Sequence, residues 1–211
     1  MSLQIGEQAP DFQAQTTIGP LSFYNWAGDT WVVFFSHPKD FTPVCTTELA
    51  EIAKLQPNFA VRKTKVIALS VDTLTAHSQW LGDISASQNC SIDFPVIADE
   101  HAKIAHLYGM IHPKASNNET VRTVFFIAPN KRIIATINYP ECTGRNIHEV
   151  LRVLDSLQLS FDHEVCTPAN WTSLDDVLIP AGVTAEDLKN KYPKGFKEIY
   201  PYLRVTPQPD I

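Results

Sequence analysis

The residues most able to do chemistry lie in Ser36-His37-Pro38-Lys39-Asp40-Phe41-Thr42-Pro43-Val44-Cys45-Thr46-Thr47-Glu48-Leu49. Cys45 is the nucleophile of this stretch, since a thiolate attacks where a hydroxyl needs a strong base. Thr42, three residues earlier, can offer a hydroxyl to the thiolate or to a substrate oxygen. Glu48 shares a helical face with Cys45 and can hold a basic side chain beside the sulfur. His37 stands eight residues before Cys45 and can hydrogen-bond sulfur or substrate. No second cysteine stands at the spacing of a Cys-x-x-Cys pair, since the position it would take is Thr42.

Positioning this group takes a strand, a loop and a helix. The apolar run 31–35 predicts a strand buried on both faces. Pro38 and Pro43 forbid a continuous helix or ladder, and a loop must follow. Glu48, Leu49, Ile52 and Leu55 then recur at helical spacing, with Pro43 tolerated in the first turn. Cys45 is thereby placed near a helix N-terminus, whose free N–H groups and positive end favour thiolate. Arg122 opens the buried-looking run 121–126, an expensive place for charge without a partner. Glu48 is the predicted partner.

Elsewhere, a hairpin is predicted up to Tyr24 with Gly19-Pro20 as its turn, and a second central strand at 65–71. Thr73 or Thr75 caps a helix carrying His77, Trp80, Leu81 and Ile84. A short strand at 94–98 is followed by a helix capped by Asp99 and running through Tyr108. Residues 121–128 and 132–138 read as an antiparallel hairpin, and 146–159 as an amphipathic helix. The order is the thioredoxin pattern, an α/β fold with a central mixed sheet, here with an N-terminal extension and insertions. After Leu159 prolines break the chain, and only 184–192 reads as a helix, with Thr184 as N-cap. The expected domains are therefore 1–160 and a small C-terminal domain, 161–211.

Pro38-x-x-x-Thr42-x-x-Cys45 resembles the active-site signature of the peroxiredoxins. The fuller wording from Ser36 to Leu49 resembles the one-cysteine subfamily, and the similarity runs to Tyr202-Leu203-Arg204-Val205-Thr206-Pro207-Gln208-Pro209. The resemblance implies a thiol peroxidase that reduces hydrogen peroxide and organic hydroperoxides through a Cys45 sulfenic acid, in antioxidant defence and redox homeostasis. It implies a site of Cys45, Thr42, Arg122, Pro38, His37, Glu48 and Arg145, with no cofactor and no metal. Arg122 matches the arginine that contacts thiolate and peroxide, and Arg145 a second arginine near the pocket. The C-terminal domain would take part in dimer contacts, giving a homodimer or a higher oligomer. An external thiol, glutathione or a thioredoxin-like protein, would recycle Cys45. Cys166, in Val165-Cys166-Thr167-Pro168, only loosely matches the resolving block of two-cysteine relatives, so a resolving role for Cys142 or Cys166 stays open. Mammalian members of the subfamily carry an added phospholipase activity on a serine, a histidine and an aspartate. The matching positions here are Thr30, Tyr24 and Asn130, which removes base and carboxylate and predicts no lipase.

Composition narrows the class further. The chain has 211 residues, 44% hydrophobic and 19% charged, enough for a real core. A net charge of -6 argues against nucleic-acid or membrane-surface partners. No apolar run reaches the 18 or so residues of a spanning helix, and no secretory signal pattern opens the sequence. Four cysteines at irregular spacing, Cys45, Cys90, Cys142 and Cys166, suit reduced thiols and a cytoplasmic location. Three rival readings remain open: a thiol–disulfide oxidoreductase, opposed by the missing Cys-x-x-Cys; a Cys45–His37 hydrolase, lacking an orienting third residue; and a holdase or redox-signalling protein.

Overall fold

Residues 31–36 carry six consecutive buried side chains, and in the computed structural model, which describes residues 3–116 and 118–209, they form a central strand. In chain order the first unit contains β1 (Gln13–Thr16), β2 (Gly19–Ser22), α1 (Phe23–Ala27), β3 (Trp31–Ser36), α2 (Pro43–Lys54), α3 (Gln56–Val61) and β4 (Thr64–Ser70). α4 (Leu74–Gln88), β5 (Val96–Ala98), α5 (Lys103–Leu107), β6 (Arg122–Ile127) and β7 (Ile133–Tyr139) follow. The strands form one seven-stranded sheet in the order β2-β1-β5-β4-β3-β6-β7. β3 pairs parallel to β4 and antiparallel to β6, the mixed sheet that the pattern of elements predicts.

Alternation along β3 divides the core. Phe34 faces a cluster with Phe12, Phe23, Tyr108 and Phe125, ring centroids 5.0–6.4 Å from its own. Phe35, on the opposite face, meets Phe94 at 6.0 Å and lies under the Arg145 guanidinium at 5.1 Å. Each fully buried phenylalanine contributes roughly 1.5–3 kcal/mol relative to exposure.

The register also sets the site. Phe35 pairs with Val124 across the antiparallel β3–β6 ladder. The carboxyl end of β3 therefore lies beside the start of β6, where Arg122 sits. Ser36 seals this corner: its Oγ donates to the Val121 carbonyl at 2.6 Å and accepts from Thr123 N at 3.2 Å.

Two local expectations are corrected. The N-terminal hairpin turns at Thr17-Ile18, with Gly19 and Pro20 already in β2, because Thr16 Oγ1 closes the turn on the Gly19 carbonyl at 2.7 Å. The helix after Asp99 is shorter than predicted: Ala102 takes a left-handed conformation (φ 53°), and the helix starts only at Lys103. Asp99 still caps it from further back, accepting from Ala105 N at 2.7 Å.

The second compact unit is 148–211, so the division falls just after the first residue of α6 (Ile147–His163) rather than at 160. The reason is packing: Leu159 belongs with Val165, Trp171, Val177, Ile179, Leu188 and Tyr192 in a separate core. Arg152 of α6 also donates to the Trp171 carbonyl at 2.9 Å. Within this unit β8 (Val177–Ile179), α7 (Ala185–Lys191), β9 (Lys197–Tyr200) and β10 (Leu203–Thr206) follow, and the strands form a sheet in the order β8-β10-β9. Thr184 caps α7 as expected, accepting from Asp187 N at 3.2 Å. The sheet itself is not foreseen by the sequence, where prolines hide short strands. Among the described residues no helix is long and apolar enough to cross a membrane.

Candidate active site

Thr42 is the N-cap of α2, in extended conformation, and Pro43 occupies the first turn. The first intrahelical bond runs from Thr46 N to the Thr42 carbonyl at 3.0 Å. The N–H groups of Val44 and Cys45 precede it and are not used by the helix. Cys45 itself is fully buried. Thr42 Oγ1 donates to the Lys39 carbonyl at 2.9 Å. With its hydrogen committed there, the hydroxyl turns acceptor lone pairs to its surroundings, so the expected donation to the thiolate or to a substrate oxygen is not made. Pro38 is buried in the loop between β3 and α2.

Arg122, 1% exposed, donates from Nη1 to Cys45 Sγ at 3.3 Å and to Glu48 Oε2 at 2.7 Å. Its Nε and Nη2 both donate to the Glu141 carbonyl, at 2.8 and 2.6 Å. Glu48 is thus the partner the sequence assigns it, and it holds a second arginine as well. Arg145 donates to Oε1 from its backbone N (2.7 Å) and Nε (2.9 Å), and to Oε2 from Nη2 (2.7 Å). Its Nη1 reaches the carbonyls of Ser36 at 2.9 Å and Thr123 at 3.0 Å. Burial alone would push Glu48 up, but the charge and hydrogen bonds of Arg145, with Arg122 behind them, hold its carboxyl below the usual range. The result is two fixed cations around one buried carboxylate, a net positive environment facing the sulfur.

His37 is fully buried, and the contact it makes is with Asp40: Nε2 lies 2.9 Å from Oδ1. Its Nδ1 is a buried nitrogen without a hydrogen-bond partner. His77 of α4 lies on the other side of Asp40, Nδ1 2.7 Å from Oδ2, with Nε2 3.1 Å from the Ile97 carbonyl. Asp72 ties the loop to β4 by accepting from Asp40 N at 3.0 Å and Ser70 Oγ at 2.7 Å. Sequence reasoning misses Asp40, His77 and the Glu141 carbonyl. The available signal was a histidine on the apolar face of α4 with Trp80 and Ile84, all three buried.

His37, Asp40 and His77 place candidate ligand atoms within 4.8 Å of one another. Tetrahedral zinc would hold its donors about 3.3 Å apart, whereas here Asp40 stands at hydrogen-bond distance, 2.9 and 2.7 Å, from each imidazole. The cluster is built around protons.

A strand-loop-helix with a buried thiol under an arginine, on a thioredoxin-like sheet, defines a thiol peroxidase. Residues 5–136 match the AhpC/TSA family and 156–195 the C-terminal domain of 1-Cys peroxiredoxin. A 1-Cys peroxiredoxin of Dictyostelium discoideum is 51% identical over 208 residues, covering 99% of this chain and 86% of that protein. A mutant of the peroxiredoxin 6 of Arenicola marina superposes with a TM-score of 0.92 at 41% identity, covering 100% of both chains. The yeast mitochondrial 1-Cys peroxiredoxin does so with a TM-score of 0.90 at 44% identity, covering 97% of this chain and 99% of that one. The chain belongs to the peroxiredoxins, in their one-cysteine branch.

Proposed function

We propose that Cys45 is the peroxidatic thiol of this peroxiredoxin and that Arg122, Glu48 and Arg145 form its electrostatic frame. The observation that carries this reading is the 3.3 Å hydrogen bond from Arg122 to the sulfur, from a guanidinium otherwise held by Glu48 and Glu141. The Cys45 thiolate attacks the terminal oxygen of a hydroperoxide. An S–O bond forms, the O–O bond breaks, sulfur loses two electrons, and the departing oxygen takes up a proton to leave as water or alcohol. Arg122 and the Cys45 N–H stabilise charge on the parting oxygens, Thr42 accepts from the peroxide O–H, and Pro38 keeps the loop rigid. His37 offers Nδ1 as a further acceptor for that O–H.

Recycling is assigned to an external thiol, glutathione or a thioredoxin-like protein. The yeast relative's structure, which concerns a thiol resolving mechanism via glutathione/thioredoxin systems, supports this. Cys142 and Cys166 are exposed free thiols and remain the alternative resolvers. Homodimer formation is supported by β9, exposed along its length, with Ile199, Tyr200 and Tyr202 turned to solvent; light scattering after gel filtration tests it. A cytoplasmic location is supported by four cysteines that all stand as free thiols, and cell fractionation tests it.

Intact mass after one equivalent of hydrogen peroxide, with and without dimedone, on wild type and the Cys142→Ser/Cys166→Ser double variant, decides the cycle. A dimedone adduct on Cys45 in both proteins is expected. A disulfide in wild type alone would mean an internal resolver, and no oxidation of Cys45 would overturn the reading.

A further inference from the structure

The hydrogens around Asp40 follow from its partners together with the charge state they impose on it. The Ile97 carbonyl only accepts, so His77 Nε2, 3.1 Å away, carries a hydrogen. The 2.7 Å contact between His77 Nδ1 and Asp40 Oδ2 needs one more hydrogen between them. Burial would raise the Asp40 carboxyl, but hydrogen bonds from His37 and His77 outweigh it and hold it below its ordinary value. Asp40 is therefore the carboxylate, an acceptor for the ring on either side of it. A carboxylate only accepts, which puts a hydrogen on His37 Nε2, 2.9 Å from Oδ1. His37 is kept neutral, since burial pulls its pKa down more than Asp40 raises it. Its single ring hydrogen is then spent on Asp40, and Nδ1 is left as a bare lone pair, the one buried side-chain nitrogen or oxygen among the described residues with no partner.

We propose that His77, acting through Asp40, is a positioning residue for peroxide reduction: the pair fixes His37 in the Nε2–H tautomer, so that Nδ1 can only accept. The inference rests on the reading of His37 as an acceptor for the peroxide O–H, which becomes the S–OH once the O–O bond has broken. The charged and titratable groups that act on the imidazole are Asp40 and Asp72 from the loop ends and His77 from α4, while the Arg145 guanidinium holds the carbonyl of the neighbouring Ser36 at 2.9 Å. The tautomer is consequently set by this network. A neutral imidazole with the opposite tautomer would present N–H to the peroxide and repel its hydrogen.

Nitrogen-15 spectra of full-length, histidine-labelled protein at pH 7 test this without substitution. His37 is expected to show a protonated Nε2 and an unprotonated Nδ1; a protonated His37 Nδ1 overturns the proposal. Asp40→Asn keeps the shape but allows its amide to donate to His37 Nε2, driving the hydrogen onto Nδ1. Asp40→Asn and His77→Gln are expected to slow Cys45 sulfenylation by hydrogen peroxide at least about tenfold. Alkylation of Cys45 by iodoacetamide, which brings no O–H, is expected to change less than about twofold. An equal loss in both reactions means a merely structural role and overturns the proposal. His37→Asn separates the two readings. If it keeps the wild-type peroxide rate, the acceptor reading of His37 fails, and the proposal with it. If it is slow while His77→Gln alters neither rate nor tautomer, the positioning inference alone fails.

Discussion

Arg122 donates from one nitrogen, Nη1, to both Cys45 Sγ at 3.3 Å and Glu48 Oε2 at 2.7 Å. The cation facing the sulfur is therefore aimed by a carboxylate on the sulfur's own helix. Its other donors are locked on Glu141, so little reorganisation is left for the reaction itself.

Arg122→Lys tests the fork. An ammonium is a point charge that cannot reach the sulfur, Glu48 and the Glu141 carbonyl together. The second-order rate with hydrogen peroxide, measured by stopped-flow fluorescence, is expected to fall about 10²-fold or more, with the charge conserved. A rate within threefold of wild type would count against the donor geometry.

Glu48→Gln removes the carboxylate that holds two buried arginines apart. Uncompensated buried charge costs on the order of 3 kcal/mol, which for a chain of this size lowers Tm by about 6–12 °C. Differential scanning calorimetry checks this; an unchanged Tm would mean that the arginines find other partners.

Stability should depend on pH in one direction. Burial holds His37 neutral in the folded protein, while the unfolded chain takes a proton below about pH 6.5. That contribution is whole above about 6.5 and is lost as pH falls. Glu48 and Asp40 are opposed by burial but held low by their partners, the arginines and the histidines respectively. Their contribution is whole above about pH 4 and is lost as pH falls through the folded-state values. Tm is expected to be level near pH 7–8, to decline below about 6.5 and to drop steeply below about 4. A Tm that rises between pH 7 and 5 would contradict the assignment of His37.

Phospholipid hydrolysis should be absent. Thr30 Oγ1 donates to the Ala27 carbonyl at 2.7 Å and Tyr24 donates to the Ala9 carbonyl at 2.6 Å, so both hydroxyls are spent on backbone. Release of fatty acid from labelled vesicles is expected at background for wild type and Thr30→Ala alike. Hydrolysis abolished by that substitution would show the prediction wrong.

Trp171 anchors the second unit: it is 1% exposed and its indole donates to the Asp175 carbonyl at 3.2 Å. Trp171→Ala is expected to cost about 3–5 kcal/mol. Hydrogen exchange should report this as lost protection in β8 and β10, and unchanged protection there would place the core elsewhere.

The central strand and the helix bearing Cys45 are legible because their causes are local. Five apolar residues in a row have only a two-sided burial to satisfy, and Pro43 with Leu49 and Ile52 leaves one helical frame. The Glu48–Arg122 pair is legible too, since a charge at the head of a buried strand demands a partner. The C-terminal sheet is not: β8 has three residues and β9 and β10 four each, too few to show a period. The short helix after Asp99 escapes for a related reason, a single left-handed residue, Ala102, that no side-chain pattern announces.

The sequence by itself pointed to Cys45 as the candidate nucleophile, to the scaffold that presents it and to the need for arginine beside it, because side-chain type and spacing govern all three. Only the tertiary structure decided which atoms meet. Asp40 and His77 are 37 residues apart, yet their side chains lie 2.7 Å from one another. Glu48 and Arg145 are separated by 97 residues and share three hydrogen bonds. Such pairings depend on strand register and on the direction each helix leaves the sheet, long-range quantities that local pattern does not encode.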